Sequence, residues 1–177
     1  SKLEELKKTF PDRPVRVTEF ISAPSYTANV VVDKKENIKI SSPSFQITGL
    51  IPFTDQPFAT VGNDWSLARK LLNEAAHAKI SEIANAVAKK MHTSGWTGLF
   101  GIDYLVRDDE VYLMEINARQ PASVTYESQL QKDHTTFEAH IRALIGESLN
   151  DFSLAEVKQG AQIILRNTEN GKPDIEN

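Results

Sequence analysis

An α+β fold, an antiparallel sheet flanked by helices, follows from three features of the sequence. Short runs rich in β-branched residues, VRVTEFIS (15–22) and TANVVVD (27–33), have the composition and alternation of strands. From 67 to 91, Leu67, Leu71, Leu72, Ala75, Ile80, Ile83, Ala84, Val87 and Met91 recur at helical spacing. Two apolar runs, LFGIDYLV and VYLMEIN, are separated by a short acidic segment, the layout of a β-hairpin.

The elements follow in order. SKLEELKKTFP reads as a short amphipathic helix with Leu3, Leu6 and Phe10 on one side, stopped at Pro11. After the strand at 15–22, strands at 27–33 and 38–47 are joined through the polar turn KKEN, which predicts an antiparallel hairpin. Residues 48–65 are rich in Pro, Gly and polar side chains and read as a loop. Asp64 is placed to cap one long helix that Ser94 and Gly95 end. Beyond the second hairpin, Phe137, Ile141, Leu144 and Ile145 predict a helix over 133–146 with Gly146 as its stop. AQIILR (161–166) reads as a last strand and GKPDIEN as a frayed tail.

With 177 residues, 40% of them apolar, the chain can bury a core of its own, and one domain spanning 1–177 is expected. The formal charge of −4 and the absence of basic runs interleaved with aromatics exclude nucleic acid as a leading partner. Zero cysteines exclude disulfides, thiolate nucleophiles and thiolate zinc sites, and they fit a cytoplasmic protein. No apolar stretch approaches the roughly 20 residues of a membrane span, and the amino terminus has no signal-peptide layout.

The chemistry concentrates in VYLMEINARQP (111–121), where an apolar run gives way to Glu115, Asn117 and Arg119 at every second position. Alternation puts Val111 and Leu113 on the face of Glu115 and Asn117. The preceding strand carries Asp103. If Asp108, Asp109 and Glu110 form a three-residue turn, Arg107 opposes Val111 and Asp103 stands directly across from Glu115. A two-residue turn would shift the register by one and part them. Opposed carboxylates in a half-buried sheet call for a cation or a shared proton. Two carboxylates and the Asn117 amide oxygen are hard ligands that favour Mg²⁺ or Mn²⁺ over zinc. Such a cation keeps positions open for substrate phosphates. Arg119 adds a fork of donors for phosphate or carboxylate, so a nucleoside triphosphate is the natural guest.

GLFGIDYLVRDDEVYLMEINARQP resembles the metal-binding hairpin of the ATP-grasp superfamily, which includes biotin carboxylase, carbamoyl-phosphate synthetase and D-alanine ligases. VRVTEFIS resembles the hinge strand of that family, and SFQI the strand that brings a glutamine toward the phosphates. The likeness runs from about residue 13 to about residue 145. It implies that Asp103, Glu115 and Asn117 ligate metal ions and that Arg119 stabilises an acyl-phosphate intermediate. It further implies that Glu19, Phe20 and Ile21 meet the adenine edge, that Leu105 and Met114 sandwich the ring, and that Gln46 approaches the phosphates or the acceptor. The implied cofactors are ATP and Mg²⁺ or Mn²⁺. The implied activity is an ATP-dependent ligase that turns a carboxylate or bicarbonate into an acyl phosphate for attack by an amine or another nucleophile. Gln120 and Pro121 after Arg119 differ from the biotin carboxylase pattern.

The resemblance also implies the C-terminal portion of an ATP-grasp domain, residues 1–12 being the last helix of a preceding subdomain that carries the phosphate-binding lysines. Partners would be ATP, a small carboxylate or amine substrate, the remainder of a parent chain and, as an option, a second copy in a homodimer, with no nucleic acid and no membrane. A non-catalytic nucleotide-binding or assembly module that keeps the fold is the alternative. His77, His92, His134 and His140 offer no pair at metal-ligand spacing, and Gly95, Gly98 and Gly101 lack the spacing of a phosphate-binding loop.

Overall fold

The structure, a computed structural model, describes residues 2–14, 18–49 and 59–164. The expected tail at 171–177 lies outside them. Helix α1 (Lys2–Thr9) matches its expectation and ends before Pro11.

The sheet is antiparallel throughout and is organised around β1 (Ser25–Val32). Strand β5 (Gly98–Arg107) pairs along one edge of β1, while β2 (Ile38–Ile40) and β3 (Ser44–Thr48) share the other. Both edges of β1 are therefore taken, and the described part of the strand expected at 15–22 finds no ladder. Residues 18–22 form no strand, and 15–17 lie outside the described residues.

β2 and β3 together replace the single strand expected at 38–47. Ser41 still exchanges a backbone bond with Asn29, but Pro43 has no N–H to donate, and the register slips by one residue before Tyr26 meets Phe45. The expected loop at 48–65 contains β4 (Thr60–Asp64), which pairs with β3 on one side and with β7 (Ala161–Ile163) on the other. Its TVGND sequence reads as a turn, yet Gly62 is required here: a Cβ would stand 2.1 Å from the Gln162 carbonyl oxygen of β7. Residues 50–58 lie outside the described set. The last strand is shorter than the expected 161–166, and 165–166 are not described.

The single long helix is in fact two. Asp64 caps α2 (Trp65–Leu71), its carboxylate accepting from Leu67 N at 2.8 Å. Leu72 then turns extended, and Asn73 caps α3 (Glu74–Thr93) by accepting from Ala76 N at 2.8 Å. A side-chain cap in mid-run outweighs the continuous apolar spacing. Helix α4 (Ser123–Leu130), between the second hairpin and the predicted C-terminal helix, is absent from the sequence reading: SVTYESQL has no side-chain cap and carries β-branched Val124 and Thr125 in its first turn. Helix α5 (Thr136–Ile145) is capped by Thr135 and stopped by Gly146 in the left-handed conformation, φ 87°.

Two cores sandwich the sheet. Ala76, Ile80 and Ala84 of α3 pack against Val30, Val32, Ile102 and Tyr104 on one face. On the other, Val124 of α4 and Ala139 and Ala143 of α5 cover Val31 and Leu99. Cover on both faces explains why β1 is buried along nearly its whole length and why its end, Val30 to Val32, is an unbroken apolar run. Among the described residues, no helix is long and apolar enough to cross a membrane.

Candidate active site

The site begins with the β5–β6 hairpin. Strand β6 (Glu110–Asn117) follows a turn of two residues, Asp108 and Asp109, with Arg107 opposite Glu110. This corrects the expected three-residue turn, and an uninterrupted ladder would then set Asp103 against Met114. Instead the register shifts between Tyr104, opposite Leu113, and Asp103, opposite Glu115. Met114 is bulged out of the ladder. The expected pairing of the two carboxylates is therefore present, but a bulge produces it.

The bulge also corrects the face assignment. Val111 packs against the α3-side core, whereas Glu115 and Asn117 line a cleft with Asp103 on the opposite face. An even separation along β6 no longer means a shared face, because the extra residue flips the remainder of the strand.

That cleft, about 260 Å³, gathers side chains from five strands and the start of α4. Gln46 of β3 donates from Nε2 to Asp103 Oδ1 at 3.0 Å, and its own oxygen accepts from the Ser25 hydroxyl. Asn117 Nδ2 donates to Asp103 Oδ2 at 3.1 Å. Arg119 Nη2 donates to Asn117 Oδ1 at 3.4 Å, and Nη1 to the Gln120 carbonyl at 3.3 Å. Burial, together with the Glu115 charge, raises the Asp103 carboxyl above its ordinary pKa, against the lowering effect of the amide bonds. The loop after β6 lies close to β5 because residue 101 is glycine: a Cβ there would stand 2.5 Å from Pro121 Cγ. Pro121, Ala122 and Ser123 consequently line the cleft together with the acids.

The structure thus brings together Gln46, Asp103, Glu115, Asn117 and Arg119. It does not bring Glu19, Phe20, Ile21, Leu105 or Met114 into the cleft. Glu19 and Phe20 are exposed and Ile21 is half-buried, in a segment without strand pairing. Leu105 pairs with Ser25 and Tyr112, and Met114 is exposed at the bulge. Sequence reasoning missed Thr60, Asn63 and Ser123 as lining residues, since β4 and α4 were not recognised.

Among the described residues, no group of three or more His, Cys, Asp or Glu side chains is arranged to hold a metal ion. A cation here would rest on Asp103, Glu115 and the Asn117 amide oxygen. A half-buried acid, an exposed acid and an amide oxygen fit a hard cation that completes its shell with water and substrate oxygens, and they do not fit a closed structural metal cage.

A model of the ATP-grasp domain matches residues 2–123. The chain belongs to the ATP-grasp family. The ATP-grasp match includes every acid, amide and arginine of the cleft. Among curated proteins, the chain is similar to the formate-dependent phosphoribosylglycinamide formyltransferase of Francisella tularensis, 28% identical over 92 residues, covering 52% of this chain and 23% of that protein. It is also similar to the enzyme of the same name from Methylococcus capsulatus, 38% identical over 77 residues, with 42% and 18% covered. The chain therefore spans about a quarter or less of the length of these relatives.

Solved ATP-grasp structures share the fold. N5-carboxyaminoimidazole ribonucleotide synthetase from Thermus thermophilus superposes with a TM-score of 0.70 at 15% identity, covering 92% of this chain and 41% of that one. The Staphylococcus aureus N5-carboxyaminoimidazole synthetase complexed with ADP gives 0.63 at 19% identity, with 82% and 36% covered.

Proposed function

We propose that this chain is the metal- and phosphate-facing portion of an ATP-dependent ligase that activates a small carboxylate, or bicarbonate, as an acyl phosphate for attack by an amine or other nucleophile. One observation carries the reading: the bulge at Met114 sets Glu115 opposite Asp103, in one cleft with Asn117 and Arg119. Asp103, Glu115 and Asn117 would hold Mg²⁺ or Mn²⁺, which when bound neutralises charge on the transferring phosphoryl group. Gln46, through its bond to Asp103, orients that carboxylate toward the ion. Arg119 supplies a cation that stabilises charge accumulating on the acyl phosphate. Glu19, Phe20 and Ile21 would meet the adenine edge and Leu105 and Met114 would sandwich the ring, outside the cleft itself. The relatives' names, one formate-dependent and another complexed with ADP, support a small acid and an adenine nucleotide.

In this reading residues 1–177 form one domain, the C-terminal part of a longer grasp, and act in the cytoplasm with the remainder of the parent. The test is calorimetric titration with ATP, with and without Mg²⁺, on the chain and on Glu115→Gln. Magnesium-dependent binding that the variant loses supports the reading. Binding indifferent to Mg²⁺, or kept by the variant, overturns it.

A further inference from the structure

Glu127 of α4 is fully buried. Asn29 of β1, Ser41 just after β2, Trp65 at the start of α2 and Thr136 of α5 stand against its carboxyl, and all four are neutral. One carboxyl oxygen, Oε2, accepts from Asn29 Nδ2 at 2.7 Å. The other, Oε1, is buried without a hydrogen-bond partner, and so are Asn29 Oδ1, Trp65 Nε1 and the Thr136 hydroxyl. These groups fall into two sets. Oε1 and Asn29 Oδ1 are both acceptors while the carboxyl is charged; they can bond each other only through a proton on Oε1, which closes a two-point pair between acid and amide. Trp65 Nε1 can only donate, and it finds an acceptor in Oε1 when that oxygen carries no proton; the Thr136 hydroxyl can join it. The proton therefore selects the neighbour, the sheet when bound and α2 with α5 when released. Desolvation raises the carboxyl to about 7, so both forms are accessible near neutral pH. Ser123, one helical turn ahead of Glu127 on the same side of α4, lines the cleft.

We propose that Glu127 is a positioning residue for the cleft and works as a proton-operated latch: protonated, it ties α4 to β1 through Asn29; ionised, it turns to Trp65 and Thr136 and lets the start of α4 move. The latch acts whatever the cleft binds, so it goes beyond the reading given above. Other titratable groups on the surrounding elements are engaged away from the carboxyl. Tyr26 of β1 lies in the opposite core, and Asp33, just past β1, binds the Lys35, Asn37 and Leu149 amides. Lys39 of β2 reaches the Asn150 carbonyl. Arg69 of α2 pairs with Glu156, and Lys70 is exposed. Glu138 and Arg142 of α5 pair with each other, and His140 accepts from Leu99 N. Tyr126 of α4 packs its ring beside Trp65.

The test uses the full chain without nucleotide or metal, so its result is separate from that of the calorimetric titration. Trp96→Phe leaves Trp65 as the single indole, and every protein compared carries it. Trp65 emission and the backbone amide shifts of residues 122–125 are followed from pH 5 to pH 9. Both should change with one shared midpoint near 7. Glu127→Gln, whose amide mimics the protonated acid by donating to Asn29 Oδ1, should lose that transition. Asp103, His77 and His140 titrate in both proteins, so the difference isolates Glu127. Thr136→Val removes a donor to the ionised form and leaves the Asn29 pair intact, so it should raise the midpoint by about one pH unit. If Glu127→Gln does not fold, the direction of that shift decides alone. A transition that survives in Glu127→Gln would overturn the proposal. So would a midpoint that Thr136→Val lowers or leaves in place, or a Trp65 transition that residues 122–125 do not follow.

Discussion

Asp103 and Glu115 stand directly opposite each other on β5 and β6 because Met114 is extruded from the ladder between them and the two-residue turn. The pair is a liability without a cation: the charge of Glu115 helps raise the Asp103 carboxyl, after burial itself. Glu115→Gln should therefore leave Tm unchanged or raise it, while magnesium-dependent ATP binding falls at least about tenfold. Thermal unfolding and calorimetry on the same preparation check both halves. A Tm loss of several degrees would show that Glu115 serves the fold first.

Gly101 lets Pro121 lie against β5, and with it the start of α4. Gly101→Ala places a Cβ 2.5 Å from Pro121 Cγ and should cost about 1–3 kcal/mol in urea unfolding. Pro121→Ala in the same chain should recover most of that loss. Equal stability of the single variant and the parent would mean that the loop yields freely.

Glu127 of α4 is buried against β1, where Asn29 donates to it at 2.7 Å. Desolvation is the largest influence on its carboxyl and raises the pKa from 4.5 to about 7. The folded state thus holds a proton that the unfolded chain releases between these values. This contribution is complete below pH 4.5 and is lost as pH rises through 7, an effect on the order of 3 kcal/mol. His77 and His140, lowered by burial, act in the opposite sense below their ordinary pKa, so the difference between parent and Glu127→Gln isolates the effect. The variant should gain relative stability from pH 5 to pH 8, measured by urea unfolding. A flat difference across that range would rule out the buried acid.

Asp33 ends β1 and ties three segments together. Its carboxylate accepts from Lys35 N at 2.8 Å, Asn37 N at 2.9 Å and Leu149 N at 2.7 Å. Burial opposes ionisation, but these bonds prevail and hold the pKa below its ordinary value. Its stabilisation is present above the unfolded value of 3.8 and disappears as pH falls below it. Asp33→Asn at neutral pH should cost about 1–3 kcal/mol, and hydrogen exchange at Leu149 should quicken. Unchanged exchange at Leu149 would place the anchor of that segment elsewhere.

The sequence by itself determined most of the side chains that line the cleft's acidic end and much of the local structure. Asp103, Glu115, Asn117 and Arg119 were legible because polar residues at period two after an apolar run have few structural uses in a buried sheet. Asp64 and Gly146 were legible because a cap and a left-handed stop act within one turn of chain. Tertiary structure decided which carboxylate faces which. Face and partner depend on the sum of turn length and bulges, and the bulge at Met114 exists only once β5 and β6 are paired.

The bond from Gln46 to Asp103 was likewise hidden, since the two lie 57 residues apart. Strand β4 and helix α4 have weak local signals and are held by their neighbours, Gly62 by the close approach of β7 and Val124 by the core beneath α5. Local propensity describes what a segment tolerates. Pairing and packing select what it becomes, because a backbone in a sheet or under a helix must satisfy partners that lie far along the chain.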